Sequence, residues 1–216
     1  MPAPATATAK ANETVQQEPS AKKLVEAVRK ARRILVVCGA GASTNAGIPD
    51  FKTLYARDSS LKPALQKDSY REHAETLADF MLHFYRGPGR HAYAPTAAHR
   101  FVKWLDERGR LLRCYTMNVD GLERAAGVRD RRIVEAHGLM GAGGRCNRAR
   151  IGASVMEELL LQNKWRAYAA EHECTLRPDI VLYGEKARID AETAGRDIRR
   201  ADLLLLRLPA RRHAAG

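Results

Sequence analysis

A short apolar run followed by a loop of glycines and small residues decides the fold of this chain. Residues 34–52 have the sequence ILVVCGAGASTNAGIPDFK, in which Ile34–Cys38 predict a buried strand. Gly39, Ala40 and Gly41 follow directly, and such small residues let backbone N–H groups approach a phosphate. The segment therefore predicts a strand that ends in a phosphate-binding loop.

The glycines alone do not identify the ligand of this loop. A strand-to-helix turn also takes glycine for steric reasons, and the spacing is not the G-x-G-x-x-G of an ordinary dehydrogenase. No Gly-Lys pair followed by Ser or Thr comes after the loop, which argues against a P-loop NTPase. The ligand must be inferred from other segments of the chain.

Helical and strand patterns alternate along the rest of the sequence. We expect helices over 22–31, from a cap at Ser69 to Gly87-Pro88-Gly89, over Thr96–Glu107 before Gly109, and after a capping box of Ser154 and Glu157. Apolar residues at helical spacing are Leu24, Val25, Val28, Leu77, Phe80, Met81, Phe84, Phe101, Val102, Leu105, Val155, Leu159 and Leu160, and Phe101, Val102 and Leu105 are expected to face inward. Further strands are predicted at Leu111–Thr116, Ile133–Ala136, Ile180–Tyr183 and Leu203–Leu206. This alternation predicts an α/β fold with a mostly parallel sheet.

The chain of 216 residues is strongly basic, with a formal net charge of +12. Its basic residues are dispersed, which favours a solubilising arginine surface over one that binds nucleic acid, an acidic partner or a membrane. No apolar run reaches about eighteen residues, so the sequence predicts no membrane span. We therefore expect neither a membrane partner nor direct binding of nucleic acid.

Four segments, in order, match the motifs of one enzyme family. They are residues 39–52, with Lys52 in the place of a usual arginine, and YTMNVDGLE at 115–123, VEAHG at 134–138 and RPDIVLYGE at 177–185. Together they resemble the sirtuin (Sir2) family of NAD-dependent protein deacetylases across residues 24–206. The resemblance implies a Rossmann-like, mostly parallel sheet with a small inserted zinc module, here helical and degenerate.

The resemblance also implies a role for each matching position. The NAD-binding residues would be Gly39, Ala40, Gly41, Ala42, Ser43, Thr44, Ile48, Asp50, Phe51, Lys52, Met117, Asn118, Val119 and Asp120. Catalysis would use His137 as the general base, with Asn118 and Asp120 at the nicotinamide pocket. Val181, Leu182 and Tyr183 would pair with the acyl-lysine peptide. Outside this context, His137 would be a surface or strand-end residue, and Asn118 and Asp120 would form an Asx turn.

The activity that the resemblance implies is transfer of an acyl group from protein lysine to ADP-ribose, with release of nicotinamide. The partners would be acylated-lysine proteins, with histones as candidates. The compartment would be intracellular, and the nucleus or cytoplasm is favoured over the mitochondrion. Two alternatives stay open, namely a non-catalytic binding module or truncated gene product, and transfer of ADP-ribose to protein.

Met117 and the cysteines depart from the family pattern. Met117 stands where the family has a glutamine that bonds the ribose, and a thioether cannot donate a hydrogen bond, so weaker NAD affinity is expected. Cys146 and Cys174 are the remnants of four zinc cysteines, so we expect no zinc, although a mixed site with Glu171 and His172 is an alternative. With no secretory signal, the four cysteines are expected as reduced thiols without disulfides.

The ends of the chain also depart from the family pattern. The family's G-T-S segment does not follow Leu206, so the dinucleotide site and the sheet are expected to be incomplete at the C-terminal side. We divide the chain into a disordered tail at 1–22 and a catalytic domain at 23–216, with the zinc-module remnant at about 139–178. An α/β sheet cut in this way is expected to expose apolar surface at its edge.

Overall fold

A computed structural model of the protein describes residues 20–86 and 93–207. The predicted tail, up to residue 19, and the predicted helix end at Gly87-Pro88-Gly89 lie outside the described residues. Helix α1 (Ala21–Lys30) confirms the first predicted helix and belongs to one compact unit. A second unit begins at Ala31 and contains all the elements that follow.

Four parallel strands form the main sheet, in the order β3-β2-β1-β7. They are β1 (Ile34–Cys38), β2 (Leu111–Thr116), β3 (Ile133–Glu135) and β7 (Leu203–Arg207). The chain passes from β1 to β2 on one side and reaches β7 on the other. The strand order therefore reverses at β1, and open α/β sheets bind their ligands in the crevice at the carboxyl end of such a switch point.

Strand β7 forms one edge of this sheet among the described strands. Its backbone pairs with β1 from Ile34–Leu203 to Cys38–Arg207. The side chains of Leu204 and Leu206 are exposed by 50% and 59%. Two leucines of β7 are thus exposed at this edge of the described sheet.

Helices alternate with the strands along the chain. In the second unit they are α2 (Phe51–Arg57), α3 (Leu61–Ala64), α4 (Ala74–Arg86), α5 (Ala97–Glu107), α6 (Leu122–Ala125), α7 (Ala153–Leu161), α8 (Trp165–Glu171) and α9 (Ala191–Arg200). Helix α5 matches its predicted bounds, and Gly109 follows it with a positive φ of 65°. The inward position of Phe101 was predicted wrongly, because it is 38% exposed and stacks on Trp104, whereas Val102 and Leu105 are buried.

Both predicted serine caps are wrong. Ser69 lies in a series of turns, where its hydroxyl donates to the carbonyl oxygen of Pro63 at 2.7 Å, and α4 begins only at Ala74. Helix α7 begins at Ala153 after Gly152, so Ser154 is already inside the helix and no side chain caps it. Val155, in the first turn of this helix, is 46% exposed, whereas Leu159 and Leu160 are buried.

A small module is inserted between β3 and α9. Its three antiparallel strands have the order β5-β4-β6 and are β4 (Gly144–Cys146), β5 (Ala149–Ile151) and β6 (Leu176–Pro178). Helices α7 and α8 connect β5 to β6, and Met156, Leu160 and Trp165 belong to a buried apolar cluster that also contains residues of α3 and α4. The inserted module therefore combines two helices with a small antiparallel sheet.

A disulfide in this module corrects the expectation of four reduced thiols. Cys146 and Cys174 are bonded, with their Cα atoms 5.4 Å apart. The antiparallel pairing of β4 with β6 places Cys146 opposite Leu176, two residues from Cys174. Cys38 and Cys114 are free and buried. Across the described residues, no helix is long and apolar enough to cross a membrane.

Candidate functional site

The loop after β1 folds into two short 3-10 turns, Ala40–Ala42 and Thr44–Ala46. Gly39 keeps the chain extended as it leaves the strand, and its carbonyl oxygen accepts from the Ala42 N–H at 2.9 Å. Helix α2 begins after Asp50, whose carboxylate accepts from the Thr53 N–H at 2.7 Å. The loop and α2 are thus fixed at the carboxyl end of β1.

The loop after β2 is tied directly to the loop after β1. The amide nitrogen of the Asn118 side chain donates to the Gly39 carbonyl and to the Ser43 hydroxyl, both at 3.1 Å. Asp120 instead accepts from the Leu122 N–H at 3.0 Å, which is an Asx turn. The Asx-turn alternative therefore holds for Asp120, whereas Asn118 joins the two loops.

His137 follows β3 and is oriented by a backbone carbonyl. Its Nδ1 lies 3.0 Å from the carbonyl oxygen of Met117. A carbonyl only accepts, so Nδ1 is the donor and the neutral ring keeps its lone pair on Nε2. Gly138 has a φ of +80°, and a Cβ there would lie 2.3 Å from the Asp179 carbonyl. Only glycine lets the next segment approach, with the Val181 N–H donating to the His137 carbonyl at 2.8 Å.

Residues 180–185 form the opposite wall of the site, and they are not the strand that was predicted over Ile180–Tyr183. Single bridges hold this segment, one from Ile180 to Gly138 and one from Tyr183 to Gln66. No long partner strand runs beside them in the described chain, so no ladder forms. The backbone of Tyr183 is already paired, since its N–H donates to Leu65 and its carbonyl accepts from Lys67.

A half-buried ion pair shapes this wall. Arg177 donates two hydrogen bonds to the Glu185 carboxylate at 2.7 and 2.9 Å, and these bonds lower the pKa of Glu185. The same carboxylate accepts from the Leu182 N–H at 2.9 Å. The wall is therefore curved around Glu185, and the predicted peptide-binding residues lie on it.

Two adjoining cavities bring most of the predicted residues together. The larger, about 310 Å³, is lined by Ala40, Phe51, Leu65, Met117, Asn118, Val119, His137, Ile180, Val181, Leu182, Tyr183, Gly184 and Glu185. The smaller, about 40 Å³, is lined by Ala40, Ser43, Ile48, Pro49, Asp50, Phe51, Leu54, Phe84, Asn118, Val119 and Asp120. They share Ala40, Phe51, Asn118 and Val119, so the first loop, His137 and the wall surround one site.

Five predicted cofactor residues do not line either cavity. They are Gly39, Gly41, Ala42, Thr44 and Lys52. Gly39 and Ala42 act through their backbone carbonyls, which accept from Asn118 and from the Thr96 hydroxyl. Thr44 and Lys52 are exposed. Seven lining residues carried no predicted role. Pro49, Leu54, Leu65, Phe84 and Ile180 are apolar, and Gly184 and Glu185 belong to the wall of the larger cavity.

Sequence reasoning also missed a buried polar group behind the two loops. His99 and Glu123 are 0% and 1% exposed, and their facing atoms, Nε2 and Oε1, are 3.9 Å apart. Burial, followed by the charge of Asp120, raises the pKa of Glu123 to about 7. The signal in the sequence was Thr96 three residues before His99, which is the spacing of a capping box.

The residues present fit the nicotinamide end of NAD, whereas the donor set of the small module does not fit zinc. The smaller cavity combines an amide (Asn118) and two carboxylates (Asp50 and Asp120) with apolar walls, and the larger one adjoins it. In the module, Cys146 and Cys174 are joined in a disulfide and cannot act as thiolate ligands. The groups of three metal-ligating residues found among the described residues lie elsewhere, around Glu123.

Comparison with known proteins agrees with this geometry. A model of the Sir2 family matches residues 39–207. The NAD-dependent protein deacetylase SIR2rp1 of Leishmania major is 36% identical over 181 residues, 78% of this chain and 48% of its own length. The NAD-dependent protein deacetylase HST2 of Candida albicans is 34% identical over 173 residues, 76% of this chain and 51% of its own length.

A solved structure matches as well. A crystal structure of Sir2 in complex with the inhibitor EX-527, 2'-O-acetyl-ADP-ribose and deacetylated p53 peptide superposes with a TM-score of 0.63 at 25% identity. The match covers 86% of this chain and 74% of that one. The chain spans about half the length of the two relatives named above. The family match covers most of the chain and includes both loops, His137 and the wall, so this protein belongs to the Sir2 family.

Proposed function

We propose that this chain is an NAD-dependent protein-lysine deacylase, which transfers the acyl group to ADP-ribose and releases nicotinamide. The observation that carries the proposal is the orientation of His137 in the larger cavity. Its Nδ1 donates to the Met117 carbonyl, which leaves Nε2 as a base beside the first loop and the wall. The relatives from Leishmania major and Candida albicans are NAD-dependent protein deacetylases, which supports the same activity.

The residues of the smaller cavity would hold the nicotinamide. When bound, NAD supplies a ribose carbon that becomes electrophilic as its nicotinamide leaves. Asn118 and Asp50 would bind the carboxamide, and Ile48 and Phe51 would exclude water from the reacting carbon. Asp120 would support this pocket from the Asx turn below it.

His137 would act as the general base. Its Nε2 can take a proton from a sugar hydroxyl, and the Met117 carbonyl then stabilises the positive charge on the ring through Nδ1. The hydrogen bond from the Val181 N–H to the His137 carbonyl holds the backbone of His137 against the wall. The protein therefore supplies both the base and its orientation.

Acylated-lysine proteins are the substrate class that we propose. The apolar side chains of Val181, Leu182 and Tyr183 line the larger cavity, where the neutral, acylated side chain would fit better than a charged lysine. Histones are candidates within this class, and the nucleus or cytoplasm is the compartment that we propose. Because Met117 cannot donate to a ribose hydroxyl, we expect NAD binding to be weaker than with glutamine at this position.

The test is to incubate the purified chain with an acetylated-lysine peptide and NAD. We expect nicotinamide and deacetylated peptide to appear in a one-to-one ratio, together with acylated ADP-ribose. Labelled ADP-ribose on protein, without deacetylated peptide, would favour ADP-ribosyl transfer instead. No release of nicotinamide at millimolar NAD, from protein shown to be folded by circular dichroism, would contradict the proposal.

A further inference from the structure

Two buried ionisable side chains lie behind the site and have no part in the chemistry proposed above. His99 on α5 and Glu123 on α6 point at each other, with Nε2 and Oε1 3.9 Å apart. Neither atom has a hydrogen-bond partner among the described residues. A buried polar atom without a partner costs about 1–3 kcal/mol, so this pair requires an explanation.

The proton on His99 can be placed from a backbone contact. The Thr96 N–H donates to Nδ1 of His99 at 3.1 Å, and the Thr96 hydroxyl oxygen lies 2.9 Å from the same nitrogen. A backbone amide always carries its hydrogen, so this donor requires Nδ1 to be an acceptor. Nδ1 therefore has the lone pair, and the proton of the neutral ring is on Nε2. Nε2 lies 3.9 Å from Oε1 of Glu123, just beyond hydrogen-bond length, so a small approach of the two side chains would let the carboxylate accept this proton.

The same proton position excludes a metal ion at this place. His99, Asp120 and Glu123 offer ligand atoms within 4.8 Å of one another, which by spacing alone could hold a metal. A metal on Nε2 would need the lone pair there and a proton on Nδ1. Because Nδ1 accepts from Thr96, the pair is instead suited to share a hydrogen bond.

This pair lies between hydrogen bonds that lead to both loops of the NAD site. On one side, the Thr96 hydroxyl donates to the Ala42 carbonyl at 2.8 Å, in the loop after β1. On the other, the Thr116 hydroxyl bonds the Glu123 carboxylate and accepts from the Asn118 N–H at 3.2 Å. A hydrogen bond between His99 and Glu123 would therefore complete a chain of hydrogen bonds from the loop after β1 to the loop after β2.

We propose that His99 and Glu123 are positioning residues, in which the Nε2–H of His99 donates to the ionised carboxylate of Glu123 and so holds the two NAD-binding loops together. Protonation of Glu123 weakens this link, since a neutral carboxyl accepts less strongly than a carboxylate. That these loops bind NAD rests on the proposed function, whereas the hydrogen bond between His99 and Glu123 does not. Through this hydrogen bond, the affinity for NAD depends on the protonation of Glu123, which takes no part in the reaction.

The charges around the pair set the pH at which the link changes. Burial raises the pKa of Glu123 to about 7, with Asp120 and Glu135 adding to the rise and the Thr116 hydroxyl opposing it. Burial lowers the pKa of His99, with Asp120 opposing and Arg100 adding to the fall. The thiols of Cys38 and Cys114 also face this region, and a hydrogen bond from Cys38 and burial raise the pKa of Cys114, so it stays neutral. Near neutral pH, the carboxyl of Glu123 is therefore the buried group that changes charge.

The first experiment measures the dissociation constant of NAD by calorimetry at pH 6 and pH 8. If only the ionised form of Glu123 closes the link, wild type should bind about tenfold more weakly at pH 6, because about a tenth of the protein is competent there. E123Q keeps an acceptor oxygen but does not titrate, so its binding should lack this tenfold change. E107Q is the matched control, an exposed carboxylate on the same helix as His99, and should behave as wild type. If the ratio of the NAD dissociation constants at pH 6 and pH 8 is the same in E123Q as in wild type, the proposal is overturned.

The second experiment does not need NAD. H99N keeps an oxygen near the Nδ1 position but removes the Nε2–H, so it breaks the link without losing the acceptor for Thr96. In a double-mutant cycle with E123Q, followed by thermal unfolding, the two losses in Tm should be strongly non-additive at pH 8 and additive at pH 5.5. Additive losses at both pH values would overturn the link. If wild type binds no NAD at all, the proposed function fails and this cycle alone decides the inference.

Discussion

Two histidines of this protein, His137 in the site and His99 behind it, differ in the backbone group that each contacts. His137 donates from Nδ1 to a carbonyl, so the lone pair on Nε2 is left in the cavity. His99 accepts at Nδ1 from an amide, so the proton is on Nε2 and points at Glu123. The same side chain therefore becomes a base in one place and a buried donor in the other, and a single backbone contact sets the difference.

The largest effect should come from removing the base. H137A should lower kcat for deacetylation by about 10² to 10⁴, because general base catalysis contributes this much. H172A is the matched control, since His172 follows α8, packs on Tyr168 and lies far along the chain from either loop. Steady-state assays of nicotinamide release check both variants. An equal fall in kcat in both variants, or no fall in H137A, would mean that His137 is not the general base.

The next effect tests the buried histidine through the pH dependence of stability. In H99N the raised pKa of Glu123 remains, so the folded state holds its proton more tightly than the unfolded chain, and stability should fall by up to about 3 kcal/mol as pH rises from about 4.5 to 7. In E123Q only the lowered pKa of His99 remains, so stability should fall as pH drops below about 6.5. Urea unfolding across this range should show slopes of opposite sign. Slopes of the same sign would contradict the burial of a neutral His99 beside a Glu123 carboxyl with a raised pKa.

The side chain of Asn118 joins the loop after β2 to the loop after β1, so its removal should weaken NAD binding by an intermediate amount. N118A removes the side-chain donor to the Gly39 carbonyl and the Ser43 hydroxyl, and the Gly39 carbonyl keeps only the Ala42 N–H, which should weaken NAD binding by about 1–3 kcal/mol. S43A removes only one of these contacts and should lose less. Calorimetric titration with NAD measures both, and a larger loss in S43A than in N118A would show that the loops are not joined through Asn118.

The smallest effect concerns the side chain of Met117, whose carbonyl orients His137. M117Q should tighten NAD binding by about 1 kcal/mol, because an amide can bond a ribose hydroxyl and a thioether cannot donate. M117L should leave binding unchanged, since it supplies no new donor. Both variants keep the carbonyl, so kcat should change little in either. A large fall in kcat would mean that the side chain, and not only the backbone, orients His137.

Most of the sheet could be predicted from the sequence, because its strands are short apolar runs that β-sheets bury on both faces. Ile34–Cys38 and Leu111–Thr116 are strands within their predicted bounds. Ile180–Tyr183 has the same pattern but is not a strand, since Gly138 and Gln66 offer it only single bridges. A strand needs a partner of matching length, and local sequence does not show one.

The candidate site was predicted less evenly. Residues with functional side chains, such as Asn118 and His137, line the cavities, because the motif places their types at the ends of parallel strands. The disulfide between Cys146 and Cys174 could not be foreseen, because it depends on the pairing of β4 with β6. His99 was missed for a similar reason, since its partner Glu123 lies 24 positions away and only the fold brings them together.

The most direct test is to determine the tautomers of both histidines by nitrogen-15 NMR of the imidazole rings at pH 8. H137A and H99N assign the two sets of resonances. We expect a proton on Nδ1 of His137 and on Nε2 of His99 in the same sample. A proton on Nε2 of His137 would remove its lone pair from the cavity, and a proton on Nδ1 of His99 would break the link to Glu123. Either result would contradict the roles proposed for the two histidines.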